Sequence, residues 1–394
     1  MSDKRFGKDV LKKWARRSVR GVAFMAAVAC AWPRHDSAWL AGVVPALSPF
    51  NACLTVAAGA GGLFLLGALV PAWLSVIWPR VFCRWLCPAG TCQDVLAGWV
   101  PKRGWVGRVP RIGLGIVVVA VGAALVGYPL FGWLDPLVLF NAAFGAARRQ
   151  FERRDWLAAA GLPALLFLAF LAPGLWCGRL CPLGALQDLL RFPLRLRALD
   201  AAARRSESAA LGRRAFLGLG LGAGYRLALH PARAMTPAAI RPPAADGEAR
   251  FTRLCTRCGA CVRSCPSGII RFGGTGTGWA GVLVPEVTFD NGYCPPSCTQ
   301  CGQVCPSGAI PRFTTKNKHR RPMGLPCVDD NHCLLSFSRE CGACVGACPY
   351  GALDMDWDPD NMTSRIVIDA ARCTGCGCCE YVCPSSPKAM RVHA

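Results

Sequence analysis

Seventeen of the 25 cysteines of this 394-residue chain fall into four short runs, each ending in Cys-Pro, and sixteen of them keep a repeated spacing. CTRCGACVRSCP (255–266) and CTGCGCCEYVCP (373–384) share the spacing C-x2-C-x2-C-x3-C-P. CPPSCTQCGQVCP (294–306) opens the first gap to three residues, and CLLSFSRECGACVGACP (333–349) opens it to seven. Three closely spaced thiolates grip three irons of a 4Fe-4S cube from one tight loop, and the fourth, followed by proline, reaches the neighbouring cluster. Disulfides do not call for four runs ending in Cys-Pro, three of them followed by Ser-Gly or Tyr-Gly (PSGII, PSGAI, PYGAL). Zinc ribbons use two C-x2-C pairs and do not need this pattern either.

The repeat predicts which motifs pair. VTFDNGYC (287–294) and IVIDAARC (366–373) each read as a short strand, an aspartate and a cysteine four residues later. Motifs two and four therefore hold equivalent places, so one pairs with two and three with four. Crossed ligation then assigns the first two clusters to Cys255, Cys258, Cys261 and Cys305, and to Cys294, Cys298, Cys301 and Cys265. The other two fall to Cys333, Cys341, Cys344 and Cys383, and to Cys373, Cys376, Cys379 and Cys348. Cys327 and Cys378 are left over, and Cys327 competes with Cys333 as a ligand.

A second kind of motif precedes these. FCRWLCPAGTCQD (82–94) and WCGRLCPLGALQD (176–188) are both C-x3-C-P, which puts two sulfurs four residues apart on one helical face. Side by side they present Cys83, Cys87, Cys177 and Cys181, enough for one metal site or for dithiol redox chemistry. Buried packing is the alternative for such cysteines, but the repeat of spacing, proline and Gln-Asp speaks against it.

The elements that position these groups differ along the chain. Residues are 53% hydrophobic and 17% charged, with apolar ones filling roughly 20–190, while 18 of the 25 cysteines lie after residue 254. Apolar stretches at about 19–33, 55–78, 112–133 and 156–176 predict an α-helical membrane domain of about four transmembrane helices over 1–190, with 38–54 as a re-entrant piece. A basic linker (191–250) follows, then an α+β ferredoxin-like domain of two tandem dicluster modules (251–394). Lys and Arg outnumber Asp and Glu by 45 to 23. Nucleic acid is not the expected partner, because the basic residues crowd the N-terminus (Lys4 to Arg20) and the flanks of apolar runs, as membrane topology places them. Arg148, Arg149, Arg153 and Arg154, in an outer loop, run against that rule. All five histidines lie outside the expected spans, which argues against a haem relay. No catalytic constellation accompanies the clusters, and FGGTGTGWAG (272–281) reads as loop, since it follows a cluster motif and not a strand-to-helix turn.

The joint reads GRRAFLGLGLGAG (212–224): paired Arg213 and Arg214, then a short apolar run, like an export signal placed in mid-chain. The run either stays as a fifth span, the reading favoured here, or is cut after Ala232-Arg233-Ala234, before Met235.

These motifs carry a resemblance. The first half resembles NapH-type membrane proteins through FCRWLCP and WCGRLCPLGA. The second is similar to NapG/MauM-type periplasmic ferredoxins, which carry four 4Fe-4S motifs, including a long-gap third one, behind a twin-arginine signal. NapH-type proteins usually carry further cysteine motifs after the second C-x3-C-P, whereas residues 189–254 here hold no cysteine. The resemblance implies a multi-pass protein of the bacterial inner membrane with its clusters on the periplasmic side. It would pass electrons from the membrane quinol pool through four 4Fe-4S clusters to a periplasmic oxidoreductase such as nitrate reductase. A maturation factor for a metal- or cluster-containing oxidoreductase is the competing expectation.

Overall fold

The computed structural model describes residues 2–32, 38–59, 64–101, 103–127, 131–146, 155–197, 199, 208–213, 215–222, 224, 239–274, 281–359 and 363–394. Arg214, the Ala232-Arg233-Ala234 site, the arginines at 148–154 and most of the 272–281 loop lie outside them.

The first half is helical: α1 (Ser2–Ala31), α2 (Pro49–Ala57), α3 (Phe64–Ile77), α4 (Val81–Trp85), α5 (Pro88–Ala97), α6 (Ile112–Leu125), α7 (Pro136–Ala146), α8 (Asp155–Leu171) and α9 (Pro182–Leu190). Local chemistry starts several of them. Ser48 caps α2 by accepting from Asn51 N–H at 3.2 Å. Proline at the first position of α5 and of α9 needs no amide donor there, and Cys87 and Cys181 serve as the N-caps.

The expected four-span membrane domain is not found. Among the described residues no single helix is long and apolar enough to cross a membrane. The apolar helices α3 and α6 have 14 residues each, about 21 Å of helix against a hydrocarbon core of about 30 Å. α3 and α8 each carry a proline inside the helix, Pro71 and Pro163. Much of the apolarity is spent inside the protein: Val117, Ala120 and Ala124 of α6 and Leu137 and Phe140 of α7 sit in one buried core with Phe50, Leu54 and Leu183. A multi-pass location in the inner membrane, with the clusters held across it, is therefore unsupported. Within this region the helices Trp39–Ala46 and Pro49–Ala57 meet at 90°. The joint also differs from expectation. Residues 215–222 are helical and lie against α6, where a Cβ on Gly222 would run into the Val119 carbonyl.

The second half carries three antiparallel two-stranded sheets. β1 (Ile270–Phe272) pairs with β2 (Pro285–Val287), with Ile270 opposite Val287; β4 (Leu353–Asp358) pairs with β5 (Thr363–Ile368), with Leu353 opposite Ile368. Each hairpin joins the first motif of a module to its second, so the tandem arrangement expected from the repeats is present. β3 (Leu325–Val328) and β6 (Met390–His393) close the second module.

The halves meet at the first cysteine motif. Asn141 on α7 donates to the Cys258 carbonyl at 2.6 Å and accepts from Arg263 at 3.0 Å, while Arg263 also donates to the Ala31 carbonyl at the end of α1. Val138, Cys258, Ala260, Val304 and Ala41 form a small buried cluster beside them. Asn141→Leu strips two partners from buried groups, so we expect it to lower stability by about 1–3 kcal/mol. Thermal unfolding measures this, and an unchanged midpoint would show that the contact does not hold the halves together.

Candidate functional site: four crossed cysteine sets and a four-thiol centre

All four motifs adopt one local structure. The third cysteine sits on a single helical turn: Cys261 on α10 (Ala260–Ser264), Cys301 on α11 (Gln300–Val304), Cys344 on α12 (Ala343–Ala347) and Cys379 on α13 (Cys378–Val382). The fourth cysteine ends the turn in extended conformation, with ψ of 113° at Cys265, 109° at Cys305, 109° at Cys348 and 121° at Cys383. The following proline disfavours the helical conformation at these cysteines, so each sulfur is carried away from its own loop.

Neighbour relations follow the crossed pattern. Burial pushes Cys255 up to about 12 and Cys258 up to about 11, and both thiols lie within electrostatic reach of Cys305 from the second motif. Cys294 and Cys301 in turn feel Cys265 from the first. In the second module Cys333, Cys341, Cys344 and Cys383 line one common pocket. Another is lined by Cys348, Cys373, Cys376 and Cys379. Among the described residues no three metal-binding side chains close around a single ion; four sulfurs spread around a larger volume suit a four-iron cube. Backbone amides add donors, from Arg257 to Cys255, Ile310 to Cys305, Ala352 to Cys348 and Gly375 to Cys373, each at 3.4 Å. Such bonds to sulfur are one means of tuning cluster potential.

The leftover cysteines separate clearly. Cys327 is exposed on β3, outside the cavity that Cys333 lines. Cys378 is buried and bonds the Ala347 carbonyl at 3.2 Å. Sequence reasoning missed Lys318, which is 2% exposed. Its ammonium holds the carbonyls of Pro295 and Cys298 and favours the thiolates of Cys294 and Cys301.

In the helical half the two C-x3-C-P motifs do come together. Cys83 follows the start of α4 and Cys177 lies on a π turn, Trp176–Leu180. Gly90 and Gly184 amides donate to Cys87 and Cys181 sulfurs, both at 3.4 Å. The glutamines noticed only as part of a repeat prove to exchange partners. Gln187 donates to Cys83 at 3.0 Å, while the Cys177 thiol donates to Gln93 at 2.9 Å. Burial pushes Cys83 up to about 11 and raises the other three well above their ordinary value, each also feeling at least one thiol of the other motif. The Gln-Asp aspartates are held as well: Asp188 by Arg80, which also donates to the Cys177 carbonyl at 2.7 Å, and Asp94 by Arg20.

Asp135, at the start of α7, lies between this centre and the docking contact. It accepts from Ser48, from Asn51 at 3.1 Å and from the Leu137 amide at 2.8 Å, and its charge reaches Cys83, Cys87 and Cys181. From Asp135 to Asn141, which touches the first motif, is about 9 Å along the helix axis.

Hairpin-linked motifs with exchanged fourth cysteines define a ferredoxin-type iron–sulfur protein with two dicluster modules. A family model described as a 4Fe-4S dicluster domain matches residues 254–309 and 339–386, and one described as a 4Fe-4S binding domain matches 60–105 and 155–198. The chain is 32% identical over 172 residues to the methylamine utilization ferredoxin-type protein MauM of Methylobacillus flagellatus, covering 41% of this chain and 70% of that protein. It is 31% identical over 161 residues to the ferredoxin-type protein NapG of Escherichia coli, covering 39% and 69%. To the ferredoxin-type protein NapF of Escherichia coli it is 31% identical over 156 residues, covering 39% and 87%. The chain belongs to this NapG, NapF and MauM family of ferredoxin-type proteins. No solved structure matches it.

Burial raises the Asp135 carboxyl from 3.8 to about 6, against the lowering effect of its hydrogen bonds. The folded state thus keeps a proton that the unfolded chain has released between about pH 4 and pH 6. Stability from this group falls as pH rises through that window, by about 3 kcal/mol in full. Asp135→Asn should remove that slope and be at least as stable as the parent at pH 8, as melting curves from pH 4 to 8 would show.

Proposed function

We propose that the chain is a relay ferredoxin in which four 4Fe-4S clusters, held by the sixteen motif cysteines, carry electrons one at a time to a partner oxidoreductase. The crossed grouping of the cysteines is the observation that carries this reading, because exchanged ligands hold the two cubes of a module close together. Each cluster supplies one-electron chemistry. The protein's own residues set the environment: Lys318 offsets anionic charge at the second cluster, amides donate to ligand sulfurs, and the hairpins keep the modules in register.

Cys83, Cys87, Cys177 and Cys181 are assigned a fifth redox station on the donor side. Supporting this are their convergence, the reciprocal glutamines, and α7 running from Asp135 beside this centre to Asn141 against the first motif. The match of both C-x3-C-P segments to a 4Fe-4S binding domain also favours it. Quinol as donor and a periplasmic reductase as acceptor are the partners that the family resemblance implies, and they are taken here as part of the proposal.

Two measurements test this. Cys327→Ala should leave about sixteen irons in the second half and Cys333→Ala about twelve; loss of iron on changing Cys327 alone would reverse the assignment. A Cys83→Ser/Cys177→Ser double variant should block cluster reduction by a water-soluble quinol while dithionite still reduces the clusters. Normal quinol-linked reduction in that variant would leave the four thiols with a packing role.

A further inference from the structure

Motif number and position in space part company at the seam between the two modules. The Cys294 amide, from motif two, donates to the Cys376 carbonyl, from motif four, at 2.9 Å, and the Met323 amide donates to the Thr374 carbonyl at 3.0 Å. Gly377 lies so close to the Phe289 ring that a Cβ there would run into it. Cys376 and Cys378 are buried in the same core as Cys294 and Cys301, and Tyr350 packs against it. Cys378, surplus to ligation, is thus part of the seam. Cys344 and Cys383, of the third cysteine set, pack in a separate cluster that they share with Cys379 of the fourth. The fourth set therefore stands between the second and the third.

Tyr350 marks the middle of the seam. It lines the pocket of the fourth set beside the buried Thr374. Burial raises its phenol, Lys318 acts the other way, and Cys376 and Cys294, one from each set, both reach it. Exposure differs at the two ends of the second half. From Cys255 to Cys265 every residue but Val262 is buried, and Cys258 meets α7 of the helical half. In motif three, Ser336 to Glu340, Gly342 and Ala343 are exposed, so its seven-residue gap supplies an open turn beside Cys341. We propose that electrons cross the seam from the second set to the fourth, so that the relay runs first, second, fourth, third and leaves at the long-gap motif. Tunnelling falls steeply with distance, so adjacency and not motif number decides the route. The crossing moves one electron, oxidising the second cluster as the fourth is reduced, and moves no proton. The direction of travel rests on the relay reading, whereas the order of the four sets does not.

The test uses the full chain, loaded with iron and purified without oxygen. Iron anomalous scattering from its crystals locates the four cubes with every residue in place. The fourth should be the second's nearest neighbour outside its own module, and the third should lie farthest from the first. In solution, neighbouring reduced clusters broaden each other's EPR signals. A serine ligand lowers a cluster's potential, so that it stays oxidised and silent at a setting that reduces the rest. Cys373→Ser, or Cys376→Ser where the former loses iron, should silence the fourth cluster and narrow two other signals. Cys341→Ser, or Cys344→Ser in its place, should silence the third and narrow only one. A third cube nearer to the second than the fourth is overturns the proposal, and so do two signals narrowing for the third set with one for the fourth. Neither measurement uses a donor or an acceptor, so a failure of quinol-linked reduction with this order intact counts against the relay and not against the arrangement.

Discussion

A cysteine followed by proline is the constraint on which both halves of this protein depend. Proline's ring crowds the preceding residue out of the helical region, and the six cysteines that close a C-x3-C-P run are extended, with ψ from 109° to 121°. In the second half the extended residue closes a helical turn and sends its sulfur across to the partner loop. In the first half the same residue opens a helix, as the N-cap of α5 or α9, and its sulfur stays at the junction, where a glycine amide meets it. One local rule thus yields exchange between loops in one place and convergence between helices in the other.

The cysteine sets were legible because their information is local. Spacing within a dozen residues specifies the loop, and repeated strand-and-cysteine patterns pair the loops without any knowledge of the fold. Cys333 was already the first choice over Cys327, and it is Cys333 that lines the pocket with Cys341, Cys344 and Cys383. Contacts that depend on the fold were out of reach. Gln187 meets Cys83 across 104 positions and Arg263 meets Ala31 across 232, so nothing in either neighbourhood announces them. Lys318 looked like one of several basic residues in TKNKHRR, although its burial beside two thiols sets it apart.

Hydropathy misled for a definite reason. A window average registers that residues avoid water and is silent on whether lipid or protein receives them. Val117, Ala120, Leu137 and Phe140 are received by one another and by Phe50 and Leu183. The same apolar packing holds the four thiols away from water, which raises their pKa values and keeps them protonated when no cofactor or oxidant takes the proton.

Exchange of the fourth ligand also bears on how the second half matures. In the crossed arrangement proposed above, a cube built in one loop of a module would fasten a cysteine of the other loop, so the first insertion would draw the second loop into shape before its own iron arrives. Insertion within a module would for that reason be cooperative. When iron is scarce, chains should divide between filled and empty modules, with half-filled ones rare, and the chain's inventory would rise in steps of two cubes.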